Sequence, residues 1–255
     1  MVAATWDYIP NQKAPCRLSR SRLQLFLDCP RCFWLVMRQR IKRPSMPDFL
    51  LNDAVDRLLK KEFDIYREKG EPHPLMKKNK LKAVPFQHAD LDKWRNPFEG
   101  IQHLDKELNL LVFGGLDDVW INEDEELMVV DYKATAKDKP IKELYAPGTY
   151  HDSYRRQLEV YQWLLAQNGF KVSPTAYFVY ATGDRTVDKF SNRIKFDTNL
   201  IVHEGKTDWI EQALKEAKAC LDGGMPKYRR QPACEHCNYV LKRLGLADKL
   251  KPKKK

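Results

Sequence analysis

Two aspartates and a lysine in one hairpin are the residues best able to do chemistry. In GGLDDVWINEDEELMVVDYKA, Asp117 sits in one strand, Asp131 ends the next, and Lys133 lies two residues further on. Side chains alternate along a strand, so Asp131 and Lys133 project to one face while Tyr132 points away. Asp131 follows the apolar run MVV, so its carboxylate emerges from a buried strand, where a charge needs a partner or a metal. Mg²⁺ and Mn²⁺ bind through one or two carboxylates together with water and substrate phosphate, and a neighbouring lysine can hold the scissile phosphate or orient the attacking water. These parts suit metal-assisted phosphodiester hydrolysis. Asp117, Asp118, Asp131 and Lys133 also suit ordinary strand-end pairing among themselves.

Cysteines form the second constellation. Four of the six fall into two C-x-x-C pairs, Cys29/Cys32 and Cys234/Cys237, a pattern that in a reducing compartment points to a metal site and is too sparse for a secreted disulfide scaffold. Two such pairs at opposite ends of the chain can build one tetrathiolate site that closes a loop spanning nearly the whole domain. Cys16 and Cys220 are expected to be unligated thiols, with Cys220 a substitute should Cys32 point away; His236 is a spacer.

The elements that must position these residues are legible from periodicity. Leu18 to Ile41 reads as a helix, bent or restarted at Pro30, and a second runs from about Asp48 to Lys69. Gly100 to Thr135 reads as a meander of antiparallel strands. The linker KDKPIKELYAPGTYHD leads to a helix from about Ser153 to Asn168, followed by strands at PTAYFVYAT and KFSNRIKFD and a helix from Thr207 to Leu221. This order implies one α/β (α+β) domain with a central mixed sheet flanked by helices.

The 255 residues, 43% hydrophobic and 31% charged, exclude a disordered or fibrous protein. A net charge of +10 favours a polyanionic partner such as nucleic acid. No stretch is apolar enough to span a membrane and the start lacks a signal-peptide pattern, so a cytoplasmic location is expected. Basic clusters at Arg17, Arg20 and Arg22, at Arg38, Arg40, Lys42 and Arg43, at Lys77, Lys78, Lys80 and Lys82, and at Tyr228, Arg229 and Arg230 are candidate phosphate contacts. Trp34 and Trp94 could stack on unpaired bases but read better as core.

The ordered set of Gly114 and Asp117 in G-x-x-D, Asp131 and Lys133 in V-D-Y-K, and Gln157 and Tyr161 in Q-x-x-x-Y resembles the RecB-like branch of the PD-(D/E)XK nuclease superfamily. The opening SRSRLQLFLDCPRCFWL is similar to that family's N-terminal helix. The resemblance implies a restriction-endonuclease-like core over 100–197 within a single domain over 1–255, cluster-bearing segments at 18–43 and 225–245, and a basic tail at 249–255. It implies that Asp117 and Asp131 are Mg²⁺ or Mn²⁺ ligands with the Tyr132 carbonyl a further candidate, that Lys133 positions or activates the water, and that Gln157 and Tyr161 line the rim. The family usually carries a histidine ligand on the second helix; Asp56, in LLNDAVDRLLKKEFD, occupies that position.

CRISPR-associated RecB-like exonucleases and AddB-type nuclease domains hold a [4Fe–4S] cluster with one cysteine before the core and three after it. Cys29, Cys234 and Cys237 match three of those, the fourth would fall near Arg243, and Cys32 is the candidate replacement, with Zn²⁺ the competing metal. The activity implied is a metal-dependent deoxyribonuclease, by family expectation an exonuclease on single-stranded or frayed DNA ends. A structure-selective endonuclease and a non-catalytic DNA-binding or adaptor module on a degenerate nuclease fold are the alternatives. No G-x-x-x-x-G-K-[ST] loop occurs, so any unwinding must come from a helicase or another DNA-processing partner.

Overall fold

The computed structural model describes residues 3–45, 47, 49–228 and 234–250, with side chains through 245. Arg229 and Arg230 lie outside the described residues, as do 251–255 of the basic tail. Along the chain the elements are β1 (Cys16–Ser19), α1 (Arg20–Asp28), α2 (Pro30–Gln39), α3 (Leu50–Lys69), α4 (Pro74–Lys78), β2 (Ala83–Pro85), α5 (Leu91–Arg95), β3 (Ile101–Asp105) and β4 (Leu110–Gly114). They continue with β5 (Asp118–Asn122), β6 (Leu127–Lys137), α6 (His151–Gln167), β7 (Thr175–Asp184), β8 (Phe196–Glu204), α7 (Ile210–Asp222) and α8 (Glu235–Leu250). The chain divides into two compact units, one of Met1–Met46, Asp105–Leu111 and Glu211–Lys255, the other of Pro47–Leu104 and Val112–Ile210.

The second unit holds a five-stranded sheet in the order β2-β5-β6-β7-β8. β6 and β7 run parallel, with Asp131 beside Phe178 and Lys133 beside Tyr180, while the other neighbours are antiparallel. A parallel pair needs a crossover, and α6 supplies it. The expected central mixed sheet flanked by helices is therefore present. One face of β6 presents Met128, Val130 and Tyr132 to a core that includes Phe63 of α3, Trp120 and Val179. Phe63 stacks on Trp120 with centroids 5.3 Å apart and lies 5.6 Å from Tyr132. Val129, Asp131 and Lys133 take the opposite face, and α6 also packs on β6.

Several boundaries differ from the expectation. The first helix restarts at Pro30 as expected, Cys29 adopting extended backbone (φ −161°, ψ 98°) as a residue preceding proline prefers, but it begins at Arg20 because Leu18 and Ser19 belong to β1. Asp117 lies just ahead of β5 rather than inside a strand, and Asp131 sits in the middle of β6, which runs on to Lys137. The last strand begins at Phe196, so most of KFSNRIKFD precedes it.

A glycine fixes the approach to Asp117. Gly100 has φ +65°, and a Cβ there would lie 2.3 Å from the Gly114 carbonyl oxygen, so only glycine lets these backbones meet.

In the first unit α1 and α2 pack together, with Phe26 edge-on to Phe33 at 5.4 Å. Tyr8 donates to Asp222 at the end of α7, and Arg38 donates to the Leu221 carbonyl.

Candidate active site and thiolate centre

The register of β5 on β6 ends at the pair Asp118 and Val130, and Asp117 and Asp131 stand one step beyond it. The two consecutive aspartates of G-L-D-D part company there. Asp118 is wholly buried and belongs to an ion-pair network: Arg67 of α3 and Arg95 of α5 both donate to Oδ1, the latter at 3.1 Å, and the Tyr132 hydroxyl donates to Oδ2 at 2.6 Å. Asp64 joins the network through Arg95. Asp118 is thus a structural anchor for the strand.

Asp117 faces the other way. Its Oδ2 accepts the Tyr132 backbone N–H at 3.0 Å and its Oδ1 lies 3.3 Å from Lys60 Nζ. Burial opposes its charge, but the ammonium groups of Lys60 and Lys133 and the Tyr132 N–H hold the carboxyl below its ordinary range. An extended residue directs its N–H and C=O to the same strand edge, so the Tyr132 carbonyl points to the side Asp117 occupies.

Asp131 is fully buried and ion-paired with Lys133. Burial works against the Lys133 ammonium, yet Asp131 and Asp117 keep its pKa above the ordinary lysine value, and Tyr161 acts on it as well. Lys133 Nζ also lies over the Tyr154 ring, 4.8 Å from its centroid. On α6, Gln157 Nε2 donates to the Tyr161 hydroxyl at 3.4 Å; Tyr161 is buried and Gln157 partly exposed.

Asp56 of α3 lies beside Asp117 through a residue that the sequence did not single out. Lys60 Nζ is 2.8 Å from Asp56 Oδ2 while also reaching Asp117. Burial and the Asp117 carboxylate raise the Asp56 pKa, and Lys60 opposes that rise. The D-x-x-x-K spacing was a visible signal for the Asp56 pair, but nothing local announced the reach to Asp117. Lys60 thus joins Asp56 to Asp117, and Lys133, ion-paired with Asp131, also feels the Asp117 charge; carboxylates of this kind are hard oxygen donors suited to Mg²⁺ or Mn²⁺. The Lys60 ammonium already occupies the place of a cation between two of them.

The cysteine pairs converge in the first unit. Cys29, Cys32, Cys234 and Cys237 have their sulfur atoms all within 4.8 Å of one another, with Cys29 to Cys237 at 3.8 Å, Cys32 to Cys234 at 3.6 Å and Cys32 to Cys237 at 3.5 Å. The half-sites are alike. Cys29 precedes α2 and its sulfur accepts the Cys32 N–H at 3.4 Å, while Cys234 precedes α8 and its sulfur accepts the Cys237 N–H. Arg43 Nη2 donates to Cys234 Sγ at 3.3 Å. Burial opposes it, but the Cys237 N–H, the thiols of Cys32 and Cys29, and Arg43 bring the Cys234 thiol down to about 7. Cys220 Sγ instead lies 3.8 Å from the Pro30 carbonyl and Cys16 Sγ 3.9 Å from the Arg17 carbonyl, and the group of four includes neither.

Many of the basic residues are engaged within the fold. Arg17 and Arg22 lie over the Trp6 ring, Arg40 pairs with Asp7, and Lys82 pairs with Glu123 at 2.9 Å. Trp94 is buried, and Trp34 is half-buried with its indole N–H donating to the Gly223 carbonyl at 3.1 Å. Among the described residues no helix is long and apolar enough to cross a membrane.

In this mixed sheet Asp117 stands just ahead of β5, Asp131 lies in the middle of the neighbouring β6, and Lys133 follows two residues on. The family model for the PD-(D/E)XK nuclease superfamily matches residues 17–240, and the chain belongs to that superfamily. Membership places it among metal-dependent nucleases in general and makes DNA the expected substrate. No curated protein matches the chain.

Proposed function

We propose that this protein is a divalent-metal-dependent deoxyribonuclease of the RecB-like branch, acting as an exonuclease on single-stranded or frayed ends. The observation that carries the reading is the buried Asp131, ion-paired with Lys133 on the strand whose Tyr132 N–H holds Asp117. Asp117, Asp131, Asp56 and the Tyr132 carbonyl would hold Mg²⁺ or Mn²⁺, which when bound supplies charge neutralisation for phosphodiester hydrolysis. Lys133, held charged beside Asp131, places an ammonium where a scissile phosphate must sit. Gln157 and Tyr161, one turn apart on α6, line the rim of the same face. The whole chain acts as one nuclease domain, a reading supported by a family match that runs through both units.

The deciding experiment compares wild type with Asp131→Ala on end-labelled single-stranded, duplex and circular DNA, with Mg²⁺, Mn²⁺ or EDTA. Metal-dependent cleavage of linear substrates that the substitution abolishes supports the exonuclease. Cutting of circles makes it an endonuclease. A non-catalytic DNA-binding module draws support from one feature, the Lys60 ammonium bound to both Asp56 and Asp117. DNA binding in EDTA with no cleavage of any substrate would establish that second reading.

For the thiolate centre we propose one tetrahedral Zn²⁺ rather than a [4Fe–4S] cluster. Zinc–sulfur bonds of about 2.3 Å give a tetrahedron with sulfur–sulfur edges of about 3.8 Å, close to the 3.5, 3.6 and 3.8 Å separations found. A cube of four irons would spread the sulfurs wider. Elemental analysis of protein purified without oxygen tests this: about one zinc per chain and no visible absorption supports it, and iron with inorganic sulfide overturns it.

A further inference from the structure

Between β6 and α6 lies a segment that the sequence offered only as a linker, and it carries exposed tyrosines fixed in place. Tyr145 and Tyr150 are 38% and 55% exposed. An exposed ring on an irregular segment is ordinarily free to swing, but Tyr145 is tied at three points. Its backbone N–H donates to His151 Nδ1 at 2.7 Å, its carbonyl accepts from Arg155, and its hydroxyl accepts from Lys137 Nζ at 3.0 Å. Its ring lies flat on the fully buried His151, with centroids 4.4 Å apart and planes 17° from parallel. Tyr150 meets Tyr145 edge to face at 5.8 Å and Tyr154 at 5.7 Å. Tyr154 in turn carries the Lys133 ammonium over its ring. A continuous path of rings therefore runs from the lysine of the active site to solvent, with a second lysine, Lys137, at its outer end.

Fixed, exposed aromatic rings beside cations form the surface on which unpaired bases stack while their phosphates are neutralised, because every base offers a π-face whatever its sequence. Paired bases in a duplex interior offer no such face. Resting on the nuclease reading above, we propose that Tyr145 and Tyr150 are a stacking platform for the unpaired bases next to the scissile phosphate, so that this site selects single-stranded DNA. The fixed backbone of Tyr145 serves the same end, since a ring already in place costs less entropy to engage.

The test uses the full-length protein in EDTA, where binding is read without cleavage, by fluorescence anisotropy of a labelled single-stranded oligonucleotide and a blunt duplex of equal length. Tyr145→Ala with Tyr150→Ala is expected to weaken single-strand binding on the order of tenfold per ring, with duplex binding changed by less than about twofold. Tyr145→Trp with Tyr150→Trp is expected to restore it, and a 2-aminopurine base in the oligonucleotide should be quenched by wild type and not by the alanine double variant. Unchanged single-strand affinity in the alanine variant overturns the platform, as does an equal loss on both substrates that tryptophan does not restore. If wild type cleaves DNA through Asp131 while either of those results holds, the platform fails and the nuclease reading stands. If wild type neither binds DNA of either kind in EDTA nor cleaves it with Mg²⁺ or Mn²⁺, both fall.

Discussion

Asp117 accepts the backbone N–H of Tyr132, so the carboxylate that precedes β5 is tied to the strand that carries Asp131 and Lys133. The bond is 3.0 Å long and spans the point where β5 stops pairing with β6. It means that Asp117, in the short segment between β4 and β5, is anchored to the strand that carries the second acidic position. Asp117→Asn keeps an acceptor for that N–H while removing the charge. It is expected to fold normally and to lose on the order of 10³-fold in DNA cleavage, measured as single-turnover rates in Mg²⁺ against wild type.

The neighbouring aspartate should behave in the opposite way. Asp118 is completely buried between Arg67 and Arg95, and removing it would leave the two guanidinium groups only the partly exposed Asp64 to share. Breaking such a network by deleting one member costs roughly 3–5 kcal/mol. Asp118→Ala is expected to lower the urea midpoint far more than Asp117→Ala. Equal destabilisation by the two substitutions would contradict the division of labour between them.

Strand alternation made the common face of Asp131 and Lys133 legible in the sequence, and the residues after Gly114 marked Asp117. The partner of Asp118 was not legible, because Arg67 and Arg95 arrive from helices whose packing on the sheet is a tertiary fact. Lys60 was missed for the same reason: its i,i+4 relation to Asp56 is local, while its reach to Asp117 depends on α3 lying against β6. The start of β8 was misplaced because its register is set by pairing with β7, from Thr175 opposite Glu204 to Gly183 opposite Phe196, and not by alternation of its own. By contrast, the convergence of the two C-x-x-C pairs followed from spacing and chemistry alone.

Lys60 sets up a competition that can be measured without any substrate. Its ammonium sits on Asp56 and Asp117, two of the three carboxylates proposed to hold the divalent ion. Replacing it with the neutral Lys60→Met removes a positive charge adjacent to the incoming cation, and at the effective dielectric of a protein surface a change of a little over 1 kcal/mol corresponds to about tenfold in affinity. Mn²⁺ titration followed by calorimetry is expected to show tighter binding by Lys60→Met and weaker binding by Asp131→Ala. Weaker binding by Lys60→Met would instead make the lysine a support that holds the carboxylates in position.

The thiolate centre joins the segment after α1 to the start of α8, so its integrity should be read as stability. Cys237 is buried, and burial together with its thiol neighbours raises its pKa, which a bound cation would reverse by favouring the thiolate. Cys237→Ser and treatment with a strong chelator are both expected to lower the melting temperature, and chelation should add nothing to the loss in Cys237→Ser. Additive losses would separate the cysteines from the metal.

A pH dependence follows from Glu159, on the buried side of α6 and remote in function from the acidic site. Its Oε1 lies 3.0 Å from His203 Nε2 on β8, and its Oε2 accepts the Trp209 indole N–H at 2.7 Å. Burial favours the protonated acid, but His203, Trp209 and the Lys206 backbone outweigh it and hold the pKa below the ordinary 4.5. A carboxyl with a depressed folded-state pKa binds fewer protons folded than unfolded. Its contribution is therefore fully present above about pH 5 and is lost as pH falls through the folded value. Hydrogen bonds to a charged acceptor of this kind are worth roughly 1–3 kcal/mol. Glu159→Gln keeps the shape and cannot ionise, so it should be less stable than wild type at neutral pH and converge with it in acid. Urea denaturation across that range gives the comparison, and a constant gap between the two proteins at every pH would show that the carboxylate's charge contributes nothing.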